Sequence, residues 1–271
     1  MKQIDIKLGK EVITLHESDG RGQTALLISG NCCSSESFSP QLNGKLGKRF
    51  RMIAIDLPGH GKSPPAVDPE KIYSLPGYAS IVIEVFKQLE LDAPVLVGHS
   101  LGGHVFLEAS PNLPNAKGCF IFGTPPVGIP PAIESAFLPH PARAFLMKVN
   151  LTHKEAEIWS SALTLEKSET RNWFLNALMD TDPKTREFLG KSIIRAQLKD
   201  EIEIVSRLQW PLAVIHAAHD QMISLDYITK LYMPTLWRGS VQIIQNASHF
   251  PQRDVSEEFD TLLTAFMESL A

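Results

Sequence analysis

The chain has 271 residues, 26 Lys and Arg against 30 Asp and Glu, and a formal net charge of -4. That length buries a full α/β core as one domain with room for an insertion, and the slightly acidic balance offers no basic field to hold nucleic acid or an anionic membrane surface. Three cysteines, two of them adjacent at Cys32 and Cys33, build neither a disulfide framework nor a zinc site and point to a reducing compartment.

The first residues alternate charged and apolar side chains without the apolar core of a leader peptide, and no segment approaches the ~18 uninterrupted apolar residues of a membrane span. A cytoplasmic location is the expectation. Residues 3–8 and 11–16 alternate at period two around Gly9 and Lys10, which predicts an antiparallel hairpin. The run from Thr24 to Gly30 is continuously apolar, as in a strand buried on both faces, and it ends in the small-residue turn Gly30-Asn31-Cys32-Cys33-Ser34-Ser35. Arg51 to Leu57 repeats the pattern and closes in Pro58-Gly59-His60-Gly61-Lys62-Ser63. Asp56 and His60 in this turn read as structural. Residues 74–91 carry an apolar stripe at Ile81, Val82, Val85, Phe86 and Leu89, the spacing of a helix packed on a sheet.

Next comes Pro94-Val95-Leu96-Val97-Gly98-His99-Ser100-Leu101-Gly102-Gly103, a short buried strand breaking at Gly98 before a helix resumes. The Gly98-x-Ser100-x-Gly102 spacing is that of a nucleophile elbow, where small neighbours let strand and helix close on an exposed serine. The first N–H groups of the following helix lack intrahelical partners and are free to hold a developing negative charge. Asn31 N–H, in the small-residue turn after the Thr24 strand, is the simplest second donor. His99 and His104 flank the elbow and are expected to pack away from Ser100.

Another buried strand follows at 117–123, and then six prolines fall within residues 125–141, the composition of a boundary or hinge. Helical spacing occupies about 152–164, 169–179 and 183–197 with no strand between them. Residues 125–198 are therefore expected to form a helical cap inserted into a core of residues 1–124 and 199–271. The sheet resumes at 211–217, followed by His219 and Asp220. A last strand at 240–244 leads to Asn246-Ala247-Ser248-His249, and residues 255–270 close the chain as an amphipathic helix. Strands alternating with helices predict an α/β fold with a mostly parallel sheet of eight strands.

A serine hydroxyl needs a base within reach, and that base needs an anion to fix its tautomer. Asp220 and His249 follow successive strands on the edge where Ser100 lies. In the Asp56-to-Ser63 turn, the elbow, the His216-Ala217-Ala218-His219-Asp220 turn and the Asn246-to-His249 loop, in this order, the chain resembles the α/β-hydrolase superfamily along essentially its whole length. The resemblance implies Ser100 as nucleophile, His249 as base, Asp220 as acid, and Asn31 and Leu101 N–H groups as the oxyanion hole. It departs from the family at Ser29-Gly30, where His-Gly is common. Haloalkane dehalogenases and epoxide hydrolases are similar otherwise but carry an aspartate at the elbow position that Ser100 fills here. The expected activity is hydrolysis of a small hydrophobic carboxylic ester or lactone through an acyl-enzyme, N-acyl homoserine lactones being one subclass, with no metal or organic cofactor. C–C bond hydrolysis of ring-fission diketones, perhydrolase chemistry, and a ligand-binding or signalling module on the same fold share this pattern of residues. Oligomeric state, monomer or homodimer, is left open.

Overall fold

One eight-stranded sheet accounts for both the alternating hairpin and the uninterrupted apolar runs, in a computed structural model that describes residues 1–166 and 168–270. The strands are β1 (Lys2–Leu8), β2 (Glu11–Glu17), β3 (Thr24–Ile28), β4 (Arg51–Ile55), β5 (Val95–His99), β6 (Gly118–Phe122), β7 (Leu212–Ala217) and β8 (Gln242–Ile244). Across the sheet they lie in the order β1-β2-β4-β3-β5-β6-β7-β8. β1 pairs antiparallel with β2, and β2 antiparallel with β4, while every later pairing is parallel. The mostly parallel α/β fold expected from the chain is the one observed.

Each central strand feeds two cores because successive side chains point to opposite faces. Leu26, Ile28, Leu96, Ile121 and Val214 enter one, and Leu27, Val97, Phe120, Phe122, Ala213 and Ile215 enter the other. A strand with apolar residues on both faces has no polar alternation to show. The first face is covered by α1 (Leu75–Gln88) and α2 (Leu101–Ala109). α1 starts where Ser74 accepts a hydrogen bond from Gly77 N–H, with Pro76 in the first turn.

Between β6 and β7 the described residues hold helices and loops but no strand of the sheet. α3 (His153–Leu163) opens with a capping box between Thr152 and Glu155, α4 (Glu169–Asp180) is capped by Ser168, and α5 (Lys184–Ile194) follows Pro183. Trp159, Phe174, Leu178 and Leu189 from these helices join the first core directly. A fourth helix, α6 (Glu201–Arg207), was not anticipated between the helical segment and β7. Its Asp200 cap is a local signal, but its anchor is tertiary: buried Glu201 accepts from His104 Nδ1 at 2.9 Å and from Val127 N–H at 2.8 Å. α7 (Ser256–Ser269) buries Phe259, Leu263, Phe266 and Met267 against the second core.

The chain steps from β3 outward to β4, then returns to the other side of β3 for β5. The carboxyl ends of β3 and β5 therefore lie side by side with their continuations diverging, the crevice where open α/β sheets hold ligands. Ile28 is paired with Gly98, so Gly30 and Ser100 emerge next to each other.

Candidate active site

Ser100 occupies a backbone conformation that its own side chain disfavours, with φ 49° and ψ -115°. Its surroundings hold it there. Ser100 N–H donates to Phe122 O at 2.8 Å, and Ser100 O accepts from Gly103 N–H at 2.9 Å and Thr124 Oγ1 at 2.9 Å. The turn closes only because Gly102 lacks a side chain, since a Cβ there would stand 2.1 Å from Ile28 O. The sequence spacing of the elbow is thus a packing requirement between β3 and α2. Leu101, as the first residue of α2, has its N–H at an unpaired helix start beside Ser100.

The second part comes from the loops after β7 and β8. His249 Nδ1 lies 2.7 Å from Asp220 Oδ2, with both side chains buried. Asp220 Oδ1 accepts from Met222 N–H at 2.9 Å and Ile223 N–H at 3.3 Å, so the carboxylate is aimed rather than loosely paired. Burial by itself would raise the Asp220 carboxyl, but the neighbouring His249 charge, its hydrogen bond and the Met222 N–H outweigh burial and hold it below the ordinary value. An anionic Asp220 makes Nδ1 the protonated nitrogen and leaves Nε2 to accept a proton. The His249 loop is tied down twice more: His249 N–H donates to Leu163 O at the end of α3, and Ser248 donates from N–H and Oγ to Asp254 Oδ2.

Ser100, His249 and Asn31 line one cavity of about 60 Å³. No hydrogen bond joins Ser100 to His249 among the described residues, a contact that in such pairs commonly tightens when substrate fills the site. The other walls are apolar and come from all sides: Phe137, Leu146, Trp159, Leu163 and Phe174 from the segment between β6 and β7, and Met222, Ile223 and Phe250 from the core loops. Asn31 sits in a turn where Cys33 N–H donates to Gly30 O at 3.1 Å and Cys32 takes φ 60°. Cys33 also borders a more polar groove of about 430 Å³ containing His16, Asp56, Lys62 and Trp173.

The remaining sequence candidates separate clearly. Asp56 receives Ser35 N–H at 2.7 Å and Lys62 N–H at 2.9 Å, the structural role expected of it. His104 faces Glu201, and His219 is exposed in a surface depression with His140. His99 differs from expectation. It packs on Phe122, with ring centroids 4.8 Å apart, yet it also lines the cavity and donates from Nε2 to His249 O at 2.8 Å. Burial and the nearby His249 charge push it well below the ordinary histidine range, so it is a neutral brace for the loop that carries His249. Asp254 braces the same loop by accepting both donors of Ser248. The apolar walls from α3 and α4 were legible only as helix faces, because periodicity reports which residues are buried and not against what. Among the described residues, no group of three or more His, Cys, Asp or Glu is arranged to hold a metal, and no helix is long and apolar enough to cross a membrane.

Residues 25–261 match the family model described as alpha/beta hydrolase family. An uncharacterised protein of Mycobacterium tuberculosis is 36% identical over 95 residues, which is 35% of this chain and 27% of that protein. The uncharacterised hydrolase YugF of Bacillus subtilis is 33% identical over 234 residues, 80% of each chain. Among solved structures, a mutant of the N-acyl homoserine lactonase AidH complexed with N-hexanoyl homoserine lactone superposes with a TM-score of 0.95 at 32% identity, covering 100% of this chain and 99% of that one.

Proposed function

The chain belongs to the alpha/beta hydrolase family, and from that premise we propose that it is a serine hydrolase opening the lactone ring of an N-acyl homoserine lactone through an acyl-enzyme. The observation that carries this reading is the full-length likeness to AidH at TM-score 0.95, which includes the helical segment over the cavity and not the sheet alone. Residues 125–198 act as the cap in this reading, and Ser100, His249 and Asp220 are the catalytic residues.

His249 Nε2 takes the Ser100 hydroxyl proton as the oxygen attacks the lactone carbonyl. Leu101 and Asn31 N–H groups hold the oxyanion, an arrangement that lowers the barrier because fixed dipoles need not reorganise as charge develops. The ring C–O bond breaks, His249 returns its proton to the leaving alkoxide, and the acyl group stays on Ser100 with its new hydroxyl attached. His249 then deprotonates water, which attacks the ester carbonyl; the bond to Ser100 Oγ breaks, His249 returns the proton to Oγ, and the open acid leaves. Asp220 stays ionised throughout and stabilises the transient imidazolium.

A fluorophosphonate probe should label Ser100, seen by peptide mapping, and fail on Ser100→Ala. Against a panel of homoserine lactones, nitrophenyl esters and ring-fission diketones, turnover should favour the lactones, and Asp220→Asn should lower kcat by about 10⁴-fold. Labelling at another residue, or tight ligand binding without turnover, would overturn the proposal. Faster cleavage of the diketones or peracid formation would replace the substrate class while keeping the triad.

A further inference from the structure

A residue lining the catalytic cavity carries a buried donor without a hydrogen-bond partner among the described residues. Trp159 is buried on α3 and lines the cavity, and its indole Nε1–H has no hydrogen-bond partner among the described residues. An indole nitrogen donates only, so the group that completes it must be an acceptor. Of the residues that share the cavity, Phe137, Leu146, Leu163, Phe174 and Phe250 carry no side-chain acceptor, and Asn31, Ser100 and His249, which do, make no hydrogen bond with the indole. His99 Nδ1 is an acceptor, because Nε2 has to donate to His249 O, but it too lacks a partner and so does not receive the indole N–H. Buried N–H groups without partners are rare in native structures and call for an explanation.

We infer that Trp159 Nε1–H binds a second carbonyl of the substrate, one on the acyl side chain rather than the reacting carbonyl held near Ser100. This rests on the lactonase reading and deepens it. The substrate class becomes lactones whose side chain carries an amide or other carbonyl oxygen, and plain alkyl lactones bind less well because they leave the indole N–H unpaired, as it is in the free protein. Because the N–H is already buried and unpaired without a ligand, the discrimination comes from the hydrogen bond that the right ligand adds.

The test compares N-hexanoyl homoserine lactone with α-heptyl-γ-butyrolactone, a side chain of equal length without the amide, on wild type and Trp159→Phe. The wild-type ratio of kcat/KM should favour the amide substrate, and Trp159→Phe should shrink that ratio about tenfold, mainly through KM for the amide substrate. A ratio within one protein does not depend on the fraction folded. As a second reading that needs no variant, the thioamide analogue, whose sulfur accepts poorly, should lose about tenfold in kcat/KM on the wild type. An unchanged ratio, or equal losses on both substrates, overturns the role of Trp159 while leaving the hydrolase intact. Turnover of nitrophenyl esters with Ser100 labelled but neither lactone opened overturns the lactone reading and this inference together.

Discussion

Gly123 provides the most direct check on whether the position of His249 governs turnover. It directly follows β6 with φ 61°, and a Cβ built on it stands 2.8 Å from His249 Cε1 and 3.1 Å from Nδ1. Carbon atoms rest at about 3.5 Å or more, so Gly123→Ala requires a displacement of roughly 0.7 Å from the ring or the β6 terminus. The ring has little freedom to yield, being bound to Asp220 at 2.7 Å and flanked by His99 at a centroid distance of 4.8 Å. Two effects follow. The left-handed backbone costs an alanine about 1–3 kcal/mol, which lowers Tm by several degrees in a chain of this size. A base misplaced by close to 1 Å costs about 10²-fold in rate. Steady-state hydrolysis of a nitrophenyl ester, measured well below the Tm of both proteins, should therefore show kcat down by about 10²-fold with KM little changed. Retained kcat in a folded variant, or a loss no larger than the unfolded fraction, would refute the positioning argument.

Acid stability should carry the signature of His60, which donates from Nδ1 to Pro58 O at 3.2 Å, has its Nε2 buried without a partner among the described residues, and is pushed by burial down to about 4 from 6.5. Because the unfolded chain takes up this proton first, stability falls as pH drops from 6.5 toward 4, by about 3 kcal/mol from this residue. His60→Gln should flatten that part of a Tm-against-pH curve, and an identical slope in the variant would count against it. Arg186 is buried and donates to Lys148 O at 2.8 Å, Val149 O at 2.7 Å and Leu178 O at 3.4 Å, joining α5 to α4 and to the loop before α3. Arg186→Met strands these carbonyls and should lower stability by at least about 2 kcal/mol in denaturant titration. An unchanged midpoint would mean that the guanidinium contributes no net stability.

Local chemistry decided much of this protein before any long-range contact is considered. Apolar runs of strand length, the prolines after Thr124, the serine caps of α1 and α4 and the glycines around Ser100 act within a few residues, so they are legible in order along the chain. The elbow is the clearest case, because the small residues that permit it are adjacent to the serine it exposes. Ser100, Asp220 and His249 were recognisable as a set because each follows a strand of one sheet, and parallel pairing aligns the carboxyl ends of all such strands. Tertiary structure alone decided the rest. His99 became a brace because β8 delivers the His249 carbonyl to it from 150 positions away, α6 was anchored by a Glu201–His104 contact that no window of sequence contains, and Trp159 was placed on the cavity instead of within a helix interface. Burial and periodicity are properties of one segment. The partner of a buried polar atom is a property of two, and their meeting is set by the order of strands in the sheet.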